Sequence, residues 1–476
     1  MTRPVLCWFR NDLRLADHPA LTAAVATGAP VICVYVLDRS RPWSPGAASL
    51  WWLHQSLERL GAAIRGKGGR LVLLKGGTAE ALKSYARRTG AGAIHWNRSH
   101  EPDQRACEAD VAAEMAEIGV EVGRHRTSLL FEPGTVRTKT GGHYSVFTPF
   151  YRTSLAAHDP AEPLPAPDRI PEPDATPPGD DLADWQLLPT KPDWAGGLRD
   201  AWQPGEEGAR DALGDFLDDR VTAYREGRDI PSEPNTSRLS PHLHFGELSS
   251  RQVWHVTKYR MDRSHGGPVE VNGSAFLREL AWREFSCHLL SRTPDLPEAP
   301  LKPEYAAFPW AEDYDDALTA WQQGRTGYPL VDAGMRELWT TGWMHNRVRM
   351  VTASFLIKHL LVPWQEGERW FWDTLVDADL ANNAASWQWV AGSGADAAPF
   401  FRIFNPIAQG EKFDPDGIYI RKWVPELRGV PDRHLHKPWE APGDLLSGKS
   451  VYPAPIVEHA GARQRALDAF HSLKKG

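Results

Sequence analysis

Cysteine is scarce in this chain: Cys7, Cys33, Cys107 and Cys287 are the only four in 476 residues, and no two form a C-x-x-C pair. That excludes a disulfide framework and a zinc ribbon, and it suits a reducing compartment, the cytoplasm. No apolar run reaches the roughly 18 residues of a membrane span, so none is expected. The apolar run Val5 to Phe9 meets Arg10, Asp12 and Arg14 too soon for a signal h-region. Neither G-x-G-x-x-G nor G-x-x-x-x-G-K-[ST] occurs, which removes the usual dinucleotide and nucleoside-triphosphate fingerprints. Positive charge is also short. Lys plus Arg is 54 against 61 Asp plus Glu, a net charge of −7, so any nucleic-acid binding needs a local basic surface.

Tryptophan, by contrast, is abundant: the 21 present are about four times the usual share, and an excess of that size needs a reason. The length suggests two domains, and the charged and apolar fractions are those of a packed globular protein. Over the first 130 residues, short apolar runs (Val5–Phe9, Val31–Leu37, Arg70–Leu74, Ala93–Trp96) alternate with helical patterns (Pro19–Ala26, Ala47–Arg65, Ala79–Thr89, Gln104–Ile118). Strand and helix in turn predict an open, Rossmann-like parallel α/β sheet. Residues 155 to 194 are proline-rich and acidic and read as an interdomain connector that wraps the surface between two domains. Beyond it the apolar periodicity is helical, through Glu206–Tyr224, Ser249–Tyr259, Ser274–Ser291, Tyr314–Gln322, Pro329–Thr341, His345–His359 and Gly367–Val376. The expected division is an α/β domain over 1–130, a linker over 131–200 and an all-helical domain over 201–476.

Most of the tryptophans fall in the helical half, where a single one is ordinarily core packing. Pro231 to Pro241 gathers four hydroxyls before a helical segment, a pattern that suits a phosphate at a helix start but, taken alone, is more often ordinary N-capping. Glu279 and Arg283 share a helix face beside Trp282, as an exposed ion pair also would. Asn346, Arg349 and Met350 lie within one turn, and Asp377, Asp379, Asn382 and Asn383 follow. These are too few ligands for a metal, so an Arg349–Asp377 pair with hydrogen bonds to a ligand is the better reading. No nucleophile or carboxylate dyad stands out.

Six motifs carry a resemblance across nearly the whole chain: Trp8-Phe9-Arg10-Asn11-Asp12-Leu13-Arg14-Leu15, Thr236-Ser237-Arg238-Leu239-Ser240-Pro241, Trp282-Arg283-Glu284-Phe285, Gly327-Tyr328-Pro329, Trp343-Met344-His345-Asn346-Arg347 and Phe401-Arg402-Ile403-Phe404-Asn405-Pro406. In this order they resemble the DNA photolyase and cryptochrome family. Asp184–Trp194 and Leu375–Asp379 look most like the bacterial class III cyclobutane-dimer photolyases, with class I the near alternative.

The resemblance implies a C-terminal domain that binds FAD through Tyr224, Thr236, Ser237, Arg238, Leu239, Ser240, Phe276, Arg349, Asp377, Asp379 and Asn383. Asn383 would stand near flavin N5, where an amide supports the reduced anionic flavin and does not readily supply a proton. Plant cryptochromes resemble this chain but carry Asp there. The implied activity is light-driven electron transfer from reduced FAD to a flipped-out cyclobutane pyrimidine dimer, in which the cofactor carries the hard step. Glu279, Trp282, Asn346, Met350 and Trp389 match the dimer pocket, and Asn346 with Met350 is unlike the histidine usual in (6-4) photolyases. Trp387, Trp364 and Trp310 match the photoreduction chain, with Trp343, Trp370 and Trp372 as candidates for a branch. Arg228, Arg283, Arg347, Arg402 and Gln409 match DNA contacts and would supply the local basic rim. The expected antenna is methenyltetrahydrofolate near Asp38, Trp51 and Glu101. Asp103-Gln104 replaces the Asn-Glu of folate-binding class I enzymes, which leaves deazaflavin or no antenna open. The expected partner is UV-damaged DNA, acted on by a monomer without an obligate protein partner. A helix expected over Ala462–Leu473 ends almost with the chain, unlike the long tails of many signalling cryptochromes.

Overall fold

The computed structural model describes residues 2–157, 159–396, 401–442 and 452–473. Five strands, β1 (Val5–Phe9), β2 (Val31–Leu37), β3 (Leu71–Lys75), β4 (Ala93–Asn97) and β5 (Glu121–His125), form one parallel sheet in the order β3-β2-β1-β4-β5. The crossovers are α1 (Pro19–Ala26), α2 (Ala47–Gly66), α3 (Thr78–Thr89) and α4 (Pro102–Glu117). β1 and β2 are buried at every position, as continuous apolar runs between helical layers should be. β5 escaped the sequence reading because Glu121-Val122-Gly123-Arg124-His125 is a half-exposed edge strand without an apolar run. Cys7 and Cys33 face each other across β1 and β2, yet all four cysteines are buried free thiols.

The strand order reverses between β1 and β4, the place where open α/β sheets ordinarily bind a ligand beyond the strands' carboxyl ends. Here side chains fill it. Asp12 accepts from Arg10 N at 2.7 Å and from Asn97 Nδ2 at 2.8 Å, and its Oδ2 lies 3.2 Å from His18 Nε2. Arg10 also donates to the Asn97 carbonyl and pairs with Glu108 at 2.8 Å. Burial opposes ionisation of Asp12, but His18 and Arg10 outweigh it and hold the carboxyl well below its ordinary range. The missing glycine-rich fingerprint thus has a structural counterpart.

Contacts divide the described chain into two compact units. The first comprises residues 1–195, 202–222 and 237–294, and the second 196–201, 223–236 and 295–476. This line runs differently from a partition at 130 and 200, because buried polar links fasten the segment 240–292 to the α/β layer. Leu13 N donates to Phe245 O at 3.1 Å, Trp52 Nε1 to Glu247 at 2.9 Å, and Arg251 pairs with Asp17 at 2.9 Å. The proline-rich stretch runs along the surface of the first unit. Its Leu164, Pro171 and Pro177 carbonyls accept from Asp17 N, Val31 N and Tyr85 Oη, and Asp180 N donates to Leu73 O, so it is strapped along the first unit. Prolines lack a donor but keep the carbonyl, which is what this strap uses.

The second unit is helical around a core that includes Trp321, Tyr328, Trp364 and Trp387. The expected helix over 206–224 breaks at Phe216 into a π-helical turn (Phe216–Arg220) and a 3₁₀ turn (Val221–Ala223), and Phe355–His359 likewise ends its helix as a π turn. Such wide turns occur often at functional sites. Among the described residues no helix is long and apolar enough to cross a membrane.

Glu284 gives a test of the fastening in the first unit. Buried, it accepts from Leu130 N at 2.9 Å, and burial raises its pKa from 4.5 to about 7. The folded chain therefore holds this proton more tightly than the unfolded chain, so the stability that Glu284 contributes is lost as pH rises from 4.5 to about 7. Glu284→Gln should lose about 3 kcal/mol less than the parent across that window. Denaturant unfolding at the two ends of the window measures it, and parallel curves would show that Glu284 is not the titrating group.

Candidate functional site

The residues matched to the flavin divide between the units. Tyr224, Thr236, Arg349, Asp377, Asp379 and Asn383 belong to the second, and Ser237–Ser240 with Phe276 to the first.

In the second unit the helix Leu380–Ala391 begins at Asp379, whose carboxylate accepts from Asn382 N at 2.9 Å and so caps the helix. Asp379, Asn383 and Trp387 follow at four-residue steps, which places them on one face. The Asn383 side chain is buried and donates from Nδ2 to the Glu368 carbonyl at 3.1 Å, which fixes the amide's orientation. Arg349 Nη2 lies 2.8 Å from Asp377 Oδ2, and its Nε donates to the Met344 carbonyl at 2.7 Å. Asp377 Oδ1 is buried with no hydrogen-bond partner among the described residues. A buried acceptor left over from an ion pair is costly unless a ligand donor meets it, and a flavin carries such a donor. Arg349, Asp377 and Asn383 fit FAD on that ground.

In the first unit, Ser237 to Ser240 form a tight loop. Arg238 has φ +53°, a strained value for a non-glycine residue, and its guanidinium lies 4.1 Å from the centre of the Trp202 ring. The helix that follows, Ser240–His244, is a single turn. Its dipole is therefore small, and the loop's hydroxyls and N–H groups carry whatever affinity it has for phosphate. Ser237 is part-exposed and Ser240 exposed. Phe276 is buried with its ring 4.7 Å from Phe216, at the π turn.

The matched pocket residues are split as well. In the first unit Glu279 is half-buried, and Trp282 stacks on Phe147 with ring centroids 3.7 Å apart and planes at 11°. Phe147, which sequence reasoning missed, thus backs one face of Trp282. In the second unit Asn346 is exposed and Met350 half-buried on one face of the helix Asn346–Ser354. Buried His345, its pKa lowered to about 4 chiefly by burial, is neutral and accepts from Arg347 N. Trp389 is half-buried with Nε1 donating to Asp396 O at 3.2 Å, whereas Trp387 is 2% exposed. Two residues along a helix is about 200°, so the two indoles face different ways.

Trp364 and Trp387 lie in one apolar core and Trp310 packs at its fringe. Trp343, Trp370 and Trp372 are half-buried, and Trp370 stacks on exposed Trp339 at 5.9 Å. Gly367 makes room for Trp387: a Cβ there would lie 2.1 Å from the indole. Glu368 was also missed. Its carboxyl oxygens are buried without partners among the described residues, and burial raises its pKa well above the ordinary value, so it is held as the neutral acid. The signal was available, since 364, 368 and 372 place a carboxyl in a tryptophan stripe.

Of the residues matched to DNA, Arg402 is exposed. Arg347 pairs with Asp229 at 2.8 Å and lies over Phe413, Arg228 lies over Tyr224, and Arg283 donates to Leu243 O at 3.2 Å. Gln409 Oε1 is buried without a partner among the described residues. Near the matched antenna positions, Asp38 accepts from Thr78 and Ser40 and faces Arg41, Glu101 precedes α4, and Trp51 is fully buried against Trp52.

The chain thus joins a parallel α/β sheet to helices that present a buried amide, an ion pair and buried indoles. A family model for DNA photolyase matches residues 5–168, and one for the FAD binding domain of DNA photolyase matches 276–472. A deoxyribodipyrimidine photo-lyase of Agrobacterium fabrum is 49% identical over 480 residues, covering 100% of this chain and 99% of that protein. The crystal structure of a bacterial class III photolyase from Agrobacterium tumefaciens superposes with a TM-score of 0.95 at 49% identity, over 100% of this chain and 98% of that one. An archaeal photolyase from Sulfolobus tokodaii, solved with two FAD molecules, gives 0.82 at 31% identity, over 98% and 100% of the two chains. The chain belongs to the DNA photolyase and cryptochrome family.

Gly367→Ala tests the packing of Trp387. It should cost about 1–3 kcal/mol, as overpacking does, and slow photoreduction of the bound flavin. Thermal melting and flavin absorbance under illumination measure the two, and no change in either would show that Gly367 does not seat the indole.

Proposed function

We propose that this protein repairs cyclobutane pyrimidine dimers in DNA under blue light, with FAD as cofactor. Asn383 carries the reading: a buried amide, oriented by the Glu368 carbonyl and aligned with Asp379 and Trp387, in a chain 49% identical to a photo-lyase along its whole length. Bound reduced FAD supplies the photoexcited electron that splits the dimer. Arg349 and Asp377 hold the cofactor's polar edge, Thr236 to Ser240 its diphosphate, and Tyr224 and Phe276 its flanks. Asn383 presents an amide where an acid would release a proton, which favours the anionic reduced flavin.

Each on its own unit, Glu279 and Asn346 are assigned to the edges of the flipped-out bases, and Trp282, Met350 and Trp389 to their apolar contacts. Phe147 keeps Trp282 from turning into the space the dimer needs. Trp387, Trp364 and Trp310 return oxidised flavin to its working state. Arg228, Arg283, Arg347, Arg402 and Gln409 grip the DNA backbone, and Arg347 exchanges Asp229 for phosphate to do so. The antenna is methenyltetrahydrofolate on the α/β layer near Asp38 and Glu101. A second FAD, as in the archaeal structure, is the other candidate there. The protein acts as a cytoplasmic monomer.

Blue-light repair of a cyclobutane thymine dimer in an oligonucleotide, with a (6-4) photoproduct strand alongside, is the deciding assay. Loss of the dimer alone is expected. Repair of neither by protein that binds and photoreduces FAD would make it a photoreceptor instead. Glu279→Ala or Trp282→Ala should weaken dimer binding or repair and leave FAD bound, whereas loss of FAD would remove both residues from the pocket. Trp387→Phe should slow photoreduction and spare repair by chemically reduced protein, and unchanged photoreduction would take Trp387 out of the electron path.

A further inference from the structure

Lys358 is 2% exposed and has no part in the chemistry above. It lies in the π turn Phe355–His359, donates to the Arg402 carbonyl, and has its ammonium 4.2 Å from the centre of the Phe401 ring. One turn earlier, Ser354 Oγ accepts from Phe404 N at 3.3 Å. Ser354 and Lys358 thus offer an acceptor and a donor four residues apart on one helix face. An extended segment presents the matching N–H and C=O two residues apart on one side. Residues 401–404 are pinned by this match, with Phe401 and Phe404 buried and the Arg402 side chain exposed.

Among the described residues no carboxylate lies against Lys358. Arg402 faces it from the loop. His359 is its neighbour in the turn, 2.8 Å from His459, and Arg465 donates to the His359 carbonyl at 3.1 Å. Glu458, next to His459, spends its carboxylate on capping the helix His459–Ser472. Burial, with the Arg402 charge adding to it, brings the Lys358 pKa down to about 7. The ammonium and the neutral amine are therefore close in free energy near neutral pH, and a nearby anion can choose between them.

We propose that Lys358 is a positioning residue for DNA binding, whose ammonium holds the Arg402 backbone so that the guanidinium meets a phosphate, and that phosphate binding draws a proton from solvent onto Lys358. This rests on the reading that the protein binds damaged DNA. Below neutral pH the ammonium is already in place. As pH rises through neutrality the free protein carries the amine, a weaker donor to the carbonyl, and each binding event takes up one proton. Affinity falls with rising pH, by up to about tenfold per unit while that uptake is complete.

The test uses the FAD-loaded full chain and a fluorescent oligonucleotide bearing one thymine dimer, titrated by anisotropy at fixed ionic strength from about pH 6.5 to about pH 8.5. Wild-type affinity should fall by at least about threefold across that range, and calorimetry in two buffers of different ionisation enthalpy should count uptake of up to one proton at the upper end. Lys358→Met should bind more weakly at the lower end, lose the pH dependence, and lower the salt slope by about one, as Arg402→Ala should. Combined with Arg402→Ala it should add no further loss. A Lys358→Met protein with wild-type affinity and pH slope overturns the inference, and so does wild-type binding without proton uptake, which needs no variant to fold. Repair by the wild type in either case leaves the repair reading standing. Wild-type protein that holds FAD and binds no dimer-containing DNA at any pH overturns both.

Discussion

One buried carboxylate, Asp17, organises the first unit. Its Oδ2 accepts from Arg251 Nε at 2.9 Å and from Ser249 Oγ, while its own carbonyl accepts from Arg14 at 2.7 Å. Arg251 in turn donates to the carbonyls of Thr127 and Leu129. Three stretches far apart in sequence, around residues 14, 128 and 250, thus meet on charges removed from water. Removing one partner of such a set typically costs about 3–5 kcal/mol, because the other charge stays buried and unmatched. The helices Ser250–Arg263 and Pro268–Arg292, which carry Phe276, Glu279 and Trp282, are positioned through this link.

The same economy of buried charge explains where the sheet does its work. In an open α/β sheet the reversal of strand order leaves a crevice for a ligand. Here Asp12, His18, Asn97, Arg10 and Glu108 occupy it and are bonded to one another. The architecture is a nucleotide-binding one whose customary crevice has become a structural joint, and the redox cofactor falls to residues further along the chain.

Much of this was legible in the sequence. The buried strands and their crossovers showed as apolar runs set against helical periods, since burial on both faces leaves a strong compositional trace. β5 left none, because an edge strand needs no apolar run. The motif residues of the helical half were legible only as a family likeness. Spacing alone favoured an Arg349–Asp377 pair over a metal site, and it left the Ser-rich loop behind ordinary caps. Phe147 and Lys358 stayed hidden for a shared reason: each acts through a tertiary neighbour, an indole or a backbone carbonyl, that no local period reveals, whereas Glu368 stood in a visible tryptophan stripe. For the proline-rich stretch, composition showed that the segment cannot pair as a strand, without showing which carbonyls it lends and to whom.

That stretch also bears on the edges of the sheet. β3 is an outer strand of the sheet, and an uncovered outer strand invites a second chain to add to it. Asp180 N donates to the Leu73 carbonyl, and Gly179 lies so close to the Leu73 backbone that a Cβ there would come within 2.3 Å of its oxygen. The strap occupies the edge, and Pro177 and Pro178 beside it bring no N–H with which to recruit a further strand. The opposite edge, β5, is guarded differently, by Glu121 and Arg124. The two margins of the sheet are thus a strapped strand and a charged one.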